Sequence, residues 1–244
     1  AKDGVVAKGL FFLGSELYAF DASTLFRILL SGAEPENLGE LSSDEIAIGT
    51  AFPSLDELVF VTTAGTVVEW SDGQASSAVT ADSTWKPTID LAPFSKYVYF
   101  LDPGNNQVWK YERRDSGFTV PEPWITDQSD ISNAISFASD GSIFILTSDG
   151  ELLKYYRGSR ADYTARGMPD GTLKGDVVFT DEASNELFIL DKTSRSVYVF
   201  NKGENEAVYT KQIVIENTEP LVDIYAREGR LFVLGEQKVY EIKL

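Results

Sequence analysis

One phrase recurs six times along this chain: an apolar strand, a turn, and a second strand ending on a large side chain. The copies are LFFLGSELYAF from Leu10, LVFVTTAGTVVEW from Leu58, VYFLDPGNNQVWKY from Val98, IFILTSDGELLKYY from Ile143, LFILDKTSRSVYVF from Leu187 and LFVLGEQKVYEI from Leu231. Their starts lie 48, 40, 45, 44 and 44 residues apart. A lone hairpin of this kind cannot bury its apolar face, so successive units must stack on one another. A period in the forties with strand pairs in every unit, and no 3.6-residue patterning, predicts an all-β, six-bladed β-propeller built of four-stranded antiparallel blades.

The second strand of each phrase carries a bulky residue at a fixed place: Phe20, Trp70, Tyr111, Tyr155, Phe200 and Ile242. Large flat side chains suit the wedge between radial sheets, and they are expected to pack between blades. The repeat tiles the chain, which predicts one domain over residues 1–244 with blades near 3–32, 44–82, 88–126, 131–168, 175–215 and 220–244. In the fourth unit the strands from innermost to outermost are expected to start at Ile131, Ser142, Glu151 and Asp162, the last being DYTARGM. In the first unit the short GVVAKG after Asp3 is expected to be innermost, and residues 33–44 to lengthen the connection to the second blade. The sixth unit runs out after its third strand. Its outer strand is expected from a segment upstream of Ala1 in a longer parent, the alternative being a natural three-stranded blade.

Composition narrows the function classes. The formal charge is −17, with 21 basic against 38 acidic residues. Nucleic acid is held by Lys and Arg that neutralise phosphates, so it is not an expected partner. Apolar runs break within about eight residues, well short of the roughly 18 needed to span a bilayer, so direct insertion is not expected. With no Cys and no His, this chain has no thiolate nucleophile, no Ser-His-Asp triad and no His-ligated zinc. Catalysis would rest on carboxylates, Lys, Tyr or an oxygen-ligated ion.

Residues 98–114, VYFLDPGNNQVWKYERR, resemble the NHL-repeat phrase, in which an apolar strand is followed by Asp, a Gly-Asn-Asn turn and a second strand. Residues 187–204, LFILDKTSRSVYVFNKGE, are a looser copy. Gly14, Thr62, Thr147 and Gly235 stand where those two copies have Asp102 and Asp191, so the resemblance is to a broad superfamily of six-bladed propellers. It implies a binding or sensor role. It also implies an extracytoplasmic bacterial setting within a larger signalling or membrane-linked protein such as a kinase or phosphatase.

The innermost strands line the tunnel of any propeller, and aligning them places a polar residue in five of six blades. These are Asp3, Asp90, Asn133, Asp176 and Asp223, with Ala47 interrupting the ring. Two expectations follow. Each carboxylate accepts backbone N–H groups of its own or the adjacent blade, or the oxygens, Asp90, Asp176 and Asp223 above all, hold a hard cation such as calcium, the one cofactor considered. A second candidate site is the rim, where Trp85 and Trp124 precede the next blade and could anchor a peptide or glycan or else pack on the neighbouring sheet.

Three functions stay open: a non-catalytic module binding a protein, peptide or glycan; a propeller hydrolase or lyase with an oxygen-ligated metal in its channel; and a scaffold with no small ligand. The lack of His, and of any Glu in the aligned strands other than Glu45, favours the first.

Overall fold

Every blade begins beside the tunnel and works outward. The computed structural model describes residues 6–52, 56–80, 89–114, 117–216 and 219–244. The first sheet holds β1 (Gly9–Leu13), β2 (Glu16–Phe20), β3 (Thr24–Ile28) and β4 (Glu36–Glu40), in that radial order. The second holds β5 (Ile46–Phe52), β6 (Glu57–Thr62), β7 (Thr66–Ser71) and β8 (Gln74–Thr80). In the third, β9 (Asp90–Phe94), β10 (Tyr97–Asp102) and β11 (Gln107–Arg114) are followed by two short strands that both pair with β11, namely β12 (Gly117–Phe118) and β13 (Glu122–Pro123). The fourth comprises β14 (Ala134–Ser139), β15 (Ile143–Thr147), β16 (Leu152–Tyr156) and β17 (Ser159–Arg160). Then β18 (Thr164–Arg166) crosses to the fifth sheet, where β19 (Val177–Phe179), β20 (Glu186–Asp191), β21 (Ser196–Lys202) and β22 (Glu206–Val214) follow. The sixth has three strands among the described residues: β23 (Leu221–Arg227), β24 (Arg230–Gly235) and β25 (Val239–Lys243).

The six innermost strands, β1, β5, β9, β14, β19 and β23, each pack against both neighbours, and β23 against β1 closes the ring. The molecule is a six-bladed β-propeller. One 3-10 turn, Pro103–Asn105, is the sole helical element among the described residues, and no helix there is long and apolar enough to cross a membrane.

Three local expectations are corrected. The first phrase is the innermost hairpin of its blade: the inner strand is Gly9–Leu13, and of GVVAKG the described Val6, Ala7 and Lys8 precede it while Gly9 begins it. Residues 33–44 are more than a connection, because they carry the outermost strand Glu36–Glu40. In the fourth unit the outermost strand is Ser159–Arg160, while Thr164–Arg166 of DYTARGM runs parallel to β22 on the outside of the fifth sheet. Outer strands carry little apolar patterning, and both inner hairpins of a blade have the same apolar–turn–apolar form.

The core is divided by blade junction. Six hydrophobic clusters occur, each shared by two successive blades, and the sixth joins Leu10, Phe12 and Leu17 of the first blade to Phe232 and Leu234 of the last. The recurrent bulky residues fall in these seams, with Phe20, Tyr111, Tyr155 and Phe200 all fully buried. Fully burying each side chain of this size contributes about 1.5–3 kcal/mol.

Close approach near the tunnel sets one strict requirement. A Cβ on Gly49 would lie 2.4 Å from Cδ1 of Phe60, whose ring packs edge-on at 5.3 Å against Phe20. Gly49→Val is expected to destabilise by about 1–3 kcal/mol through overpacking. Val120→Ala, at an exposed site, should stay within about 0.5 kcal/mol of the parent. Urea unfolding midpoints at constant m-value check both.

Candidate functional site

Backbone bulges decide which side chains reach the centre of the tunnel. Register shifts fall between Ile46 and Ile48, between Ala134 and Ser136, and between Leu221 and Asp223. Gly9, Ile48, Asp90, Ser136, Val177 and Asp223 therefore stand at one level, each opposite the residue that precedes the second turn of its blade. Of the expected polar ring, Asp90 and Asp223 belong to this level. They come from blades three and six, which face each other across a six-membered ring.

Both carboxylates are used as fasteners between blades. Asp90 Oδ2 accepts from the Phe137 N–H (2.9 Å) and the Ser136 hydroxyl (2.9 Å), while its Oδ1 accepts from its neighbour, the Leu91 N–H (2.8 Å). Ser136 Oγ in turn accepts from the Val178 N–H (3.2 Å), which carries the connection on to the fifth blade. Asp223 Oδ2 accepts from the Leu10 N–H (3.0 Å) and Oδ1 from the Ile224 N–H (2.8 Å), so the bond to Leu10 ties the last blade to the first. An N–H on an innermost strand that faces its neighbour has no ladder partner, and an unsatisfied buried donor costs about 1–3 kcal/mol.

Burial pushes both acids up, Asp90 to about 7 with a further rise from Asp223 opposite, and Asp223 to about 6. The hydrogen bonds to Phe137 and Ser136, and those to Leu10 and Ile224, oppose the shift without cancelling it. One of the pair is thus readily protonated near neutrality.

Asn133 and Asp176 lie above this level and serve the second turn of their own blades. Asn133 Nδ2 donates to Asp149 Oδ1 (2.7 Å), and Asp176 accepts from the Lys192 N–H (2.8 Å). Neither lines the central cavity, so the trio considered for calcium does not converge. Among the described residues no three or more of His, Cys, Asp and Glu are grouped to hold a metal. Asp3 and Trp85 lie outside the described residues. Trp124 is half-buried and packs edge-on against Tyr99 (5.7 Å) and Tyr155 (6.5 Å), in the seam between the third and fourth blades.

The Asp of the resembled repeat phrase has a local task. Asp102 Oδ1 accepts from the Asn105 N–H (3.1 Å) and its Oδ2 from the Trp109 indole (2.9 Å), and Asp191 accepts from the Ser194 N–H (2.9 Å). Thr62 and Thr147 accept from Thr66 and Glu151 N–H groups in the same turn. Because the first phrase sits one strand further in, the first-blade counterpart is Asp21, not Gly14: Asp21 Oδ1 accepts from Ser23 and Thr24 N–H groups.

Beneath the acid pair the tunnel widens to a cavity of about 470 Å³ that reaches the first turns of the blades. Sequence reasoning missed its walls, where half-buried Phe94, Phe179 and Tyr225 stand near Asp181 and Glu182. Phe94 and Phe179 end the inner strands DLAPF and VVF, and Tyr225 stands two residues before the end of LVDIYAR, a recurrence visible in the chain once the strands are in frame.

No family model and no curated protein matches the sequence. Among solved structures, a Xanthomonas campestris gluconolactonase is 15% identical, with 98% of this chain and 86% of that one covered at a TM-score of 0.70. Virginiamycin B lyase from Staphylococcus aureus, solved as a catalytically inactive variant with quinupristin, is 12% identical, covering 100% and 82% at 0.67. A chain of the nidogen/laminin complex is 13% identical, covering 86% and 81% at 0.65. These likenesses establish the fold, in agreement with the resemblance to six-bladed propellers, and they include both enzymes and a binding protein.

The acid pair has a testable signature. A carboxyl whose folded pKa is raised holds its proton while the unfolded chain has released it, so its contribution to stability is present below about pH 4 and is lost as pH climbs towards 7. Asp90→Asn keeps an acceptor for Phe137 and removes the titration. The variant should gain about 1–3 kcal/mol relative to the parent between pH 4 and 8, at about 1.4 kcal/mol per unit of separation and reduced by access to the tunnel. Denaturant melts across that range check it; parallel pH profiles would contradict it.

Proposed function

We propose that this propeller is a non-catalytic binding module whose ligand enters the cavity from the side of the first turns. The observation that carries the reading is the employment of the inner carboxylates. Asp90 and Asp223 accept neighbouring backbone N–H groups, so neither is free to serve as the base or metal ligand that a hydrolase or lyase needs. A cavity of about 470 Å³ whose walls combine aromatic and aliphatic groups with acidic and hydroxyl groups falls in the size range of small-molecule sites, roughly 300–1,000 Å³. The likeness to a nidogen propeller is in keeping with a binding role, as is the implied place of the module as the sensor of a larger signalling or membrane-linked protein.

Ala183 is exposed at the cavity mouth, and Ala183→Trp would obstruct entry without touching the core. In a small-molecule screen by ligand-observed NMR, compounds that bind the parent should weaken by about tenfold or more in this variant, a change of about 1.4 kcal/mol, and remain unconverted on long incubation. Conversion to product would favour the enzyme reading, suggested by the likeness to a lyase and a gluconolactonase. Binding that ignores the obstruction would place the ligand elsewhere.

A further inference from the structure

We propose that the cavity receives a small organic monocation, an ammonium or guanidinium group on an apolar body, held between Asp181 and the faces of Phe179 and Tyr225. This rests on the reading of the cavity as the ligand site and adds the ligand's charge and chemical class.

The lining is one-sided in charge. Asp90, Asp181, Glu182 and Asp223 line the cavity, and among the described residues no Lys or Arg does. The two cations near Asp181, Lys202 and Arg227, act on its carboxylate through space, while their direct bonds go to other groups. Lys202 pairs with Asp140 at 2.6 Å and donates to Thr180 Oγ1 (2.9 Å) and the Asp181 carbonyl (3.0 Å). Arg227 donates to the Gly14 carbonyl, pairs with Glu228 and lies over the Phe12 ring at 5.3 Å. One Asp181 carboxylate oxygen is closed off from solvent without a hydrogen-bond partner, and burial pushes this carboxyl up. Asp181 therefore brings to the cavity lining a carboxylate oxygen that no hydrogen-bond donor of the protein engages.

The walls select the kind of cation. A hard divalent ion takes six to eight oxygens at about 2.3–2.6 Å, and the lining interleaves its carboxylates with rings and aliphatic groups. Phe179 and Tyr225 pack against each other with ring centroids 4.5 Å apart at 46°, and both line the cavity together with Asp181. An ammonium or guanidinium group within about 6 Å of such faces gains about 0.5–2 kcal/mol, more as water is excluded, and one carboxylate then suffices to neutralise it. Anions are repelled, and a neutral ligand leaves the charge where it was.

Calorimetry with three probes of one shape tests the proposal: phenethylamine, 2-phenylethanol and phenylacetate, against the parent, Asp181→Asn and Ala183→Trp. The amine is expected to bind the parent about tenfold tighter than the alcohol, the acid to bind more weakly than either, and Asp181→Asn to erase the preference while leaving the alcohol unchanged. Thermal melts confirm that Asp181→Asn is folded. Equal affinity of amine and alcohol, or an amine affinity indifferent to Asp181→Asn, overturns the cation assignment; if Ala183→Trp still weakens the probes, the cavity stands as the ligand site. Absence of binding by all three at about 10 mM, or binding untouched by Ala183→Trp, overturns the cavity reading as well.

Discussion

A propeller's innermost strands meet side by side without sheet hydrogen bonds between blades, so the N–H groups that face a neighbour need acceptors from somewhere else. Asp90, Ser136 and Asp223 supply them, and each accepts from the innermost strand of the next blade: Phe137, Val178 and Leu10. The Asp223–Leu10 contact lies at the junction where the ring returns on itself. Apolar seams hold the blades against one another over a wide area, but they are non-directional. The side-chain-to-backbone bonds fix the height at which one blade meets the next.

That choice shapes the site. Carboxylates held at mid-tunnel by backbone donors are half-buried, and their protonation responds to burial more than to any catalytic partner. A bulge after Leu221 brings Asp223 to this level, and bulges after Ile46 and Ala134 do the same for Ile48 and Ser136, while Asp90 reaches it on a regular strand. Below them the tunnel opens into an aromatic-walled cavity with acidic groups on its lining. Rigid blades with turns around a central opening are a scaffold on which binding chemistry varies by turn composition.

The blade number and the seam residues were legible in the chain because apolar hairpins at a steady period have few ways to bury themselves. Phe20, Trp70, Tyr111, Tyr155 and Phe200 are buried as their recurrence implied. The frame of the first blade was not legible: Leu10–Phe20 resembles the later hairpins in pattern, yet it is formed by first and second strands, where the later copies are second and third. Outer strands such as Glu36–Glu40, half-exposed and polar, leave no periodic trace. The polar ring was half legible. Asp90 and Asp223 share one level, but in the fourth blade Ser136, three residues beyond Asn133 and past a one-residue bulge, takes that level, and in the fifth Val177 takes it, one residue beyond Asp176. Sequence spacing cannot register an extra residue that the backbone absorbs locally.

The account depends on inner-strand N–H groups being held by side chains of the preceding blade, and amide hydrogen exchange reports that directly. The Leu10 and Phe137 amides should exchange only on global unfolding, with protection matching that of the ladder amides of β20 and β21. In Asp223→Ala the Leu10 amide, together with the adjacent Ile224 amide, should lose this protection while Phe137 keeps it. Fast exchange at Leu10 or Phe137 in the parent protein, or protection at Leu10 that survives the loss of Asp223, would contradict the claim that these carboxylates fasten the ring.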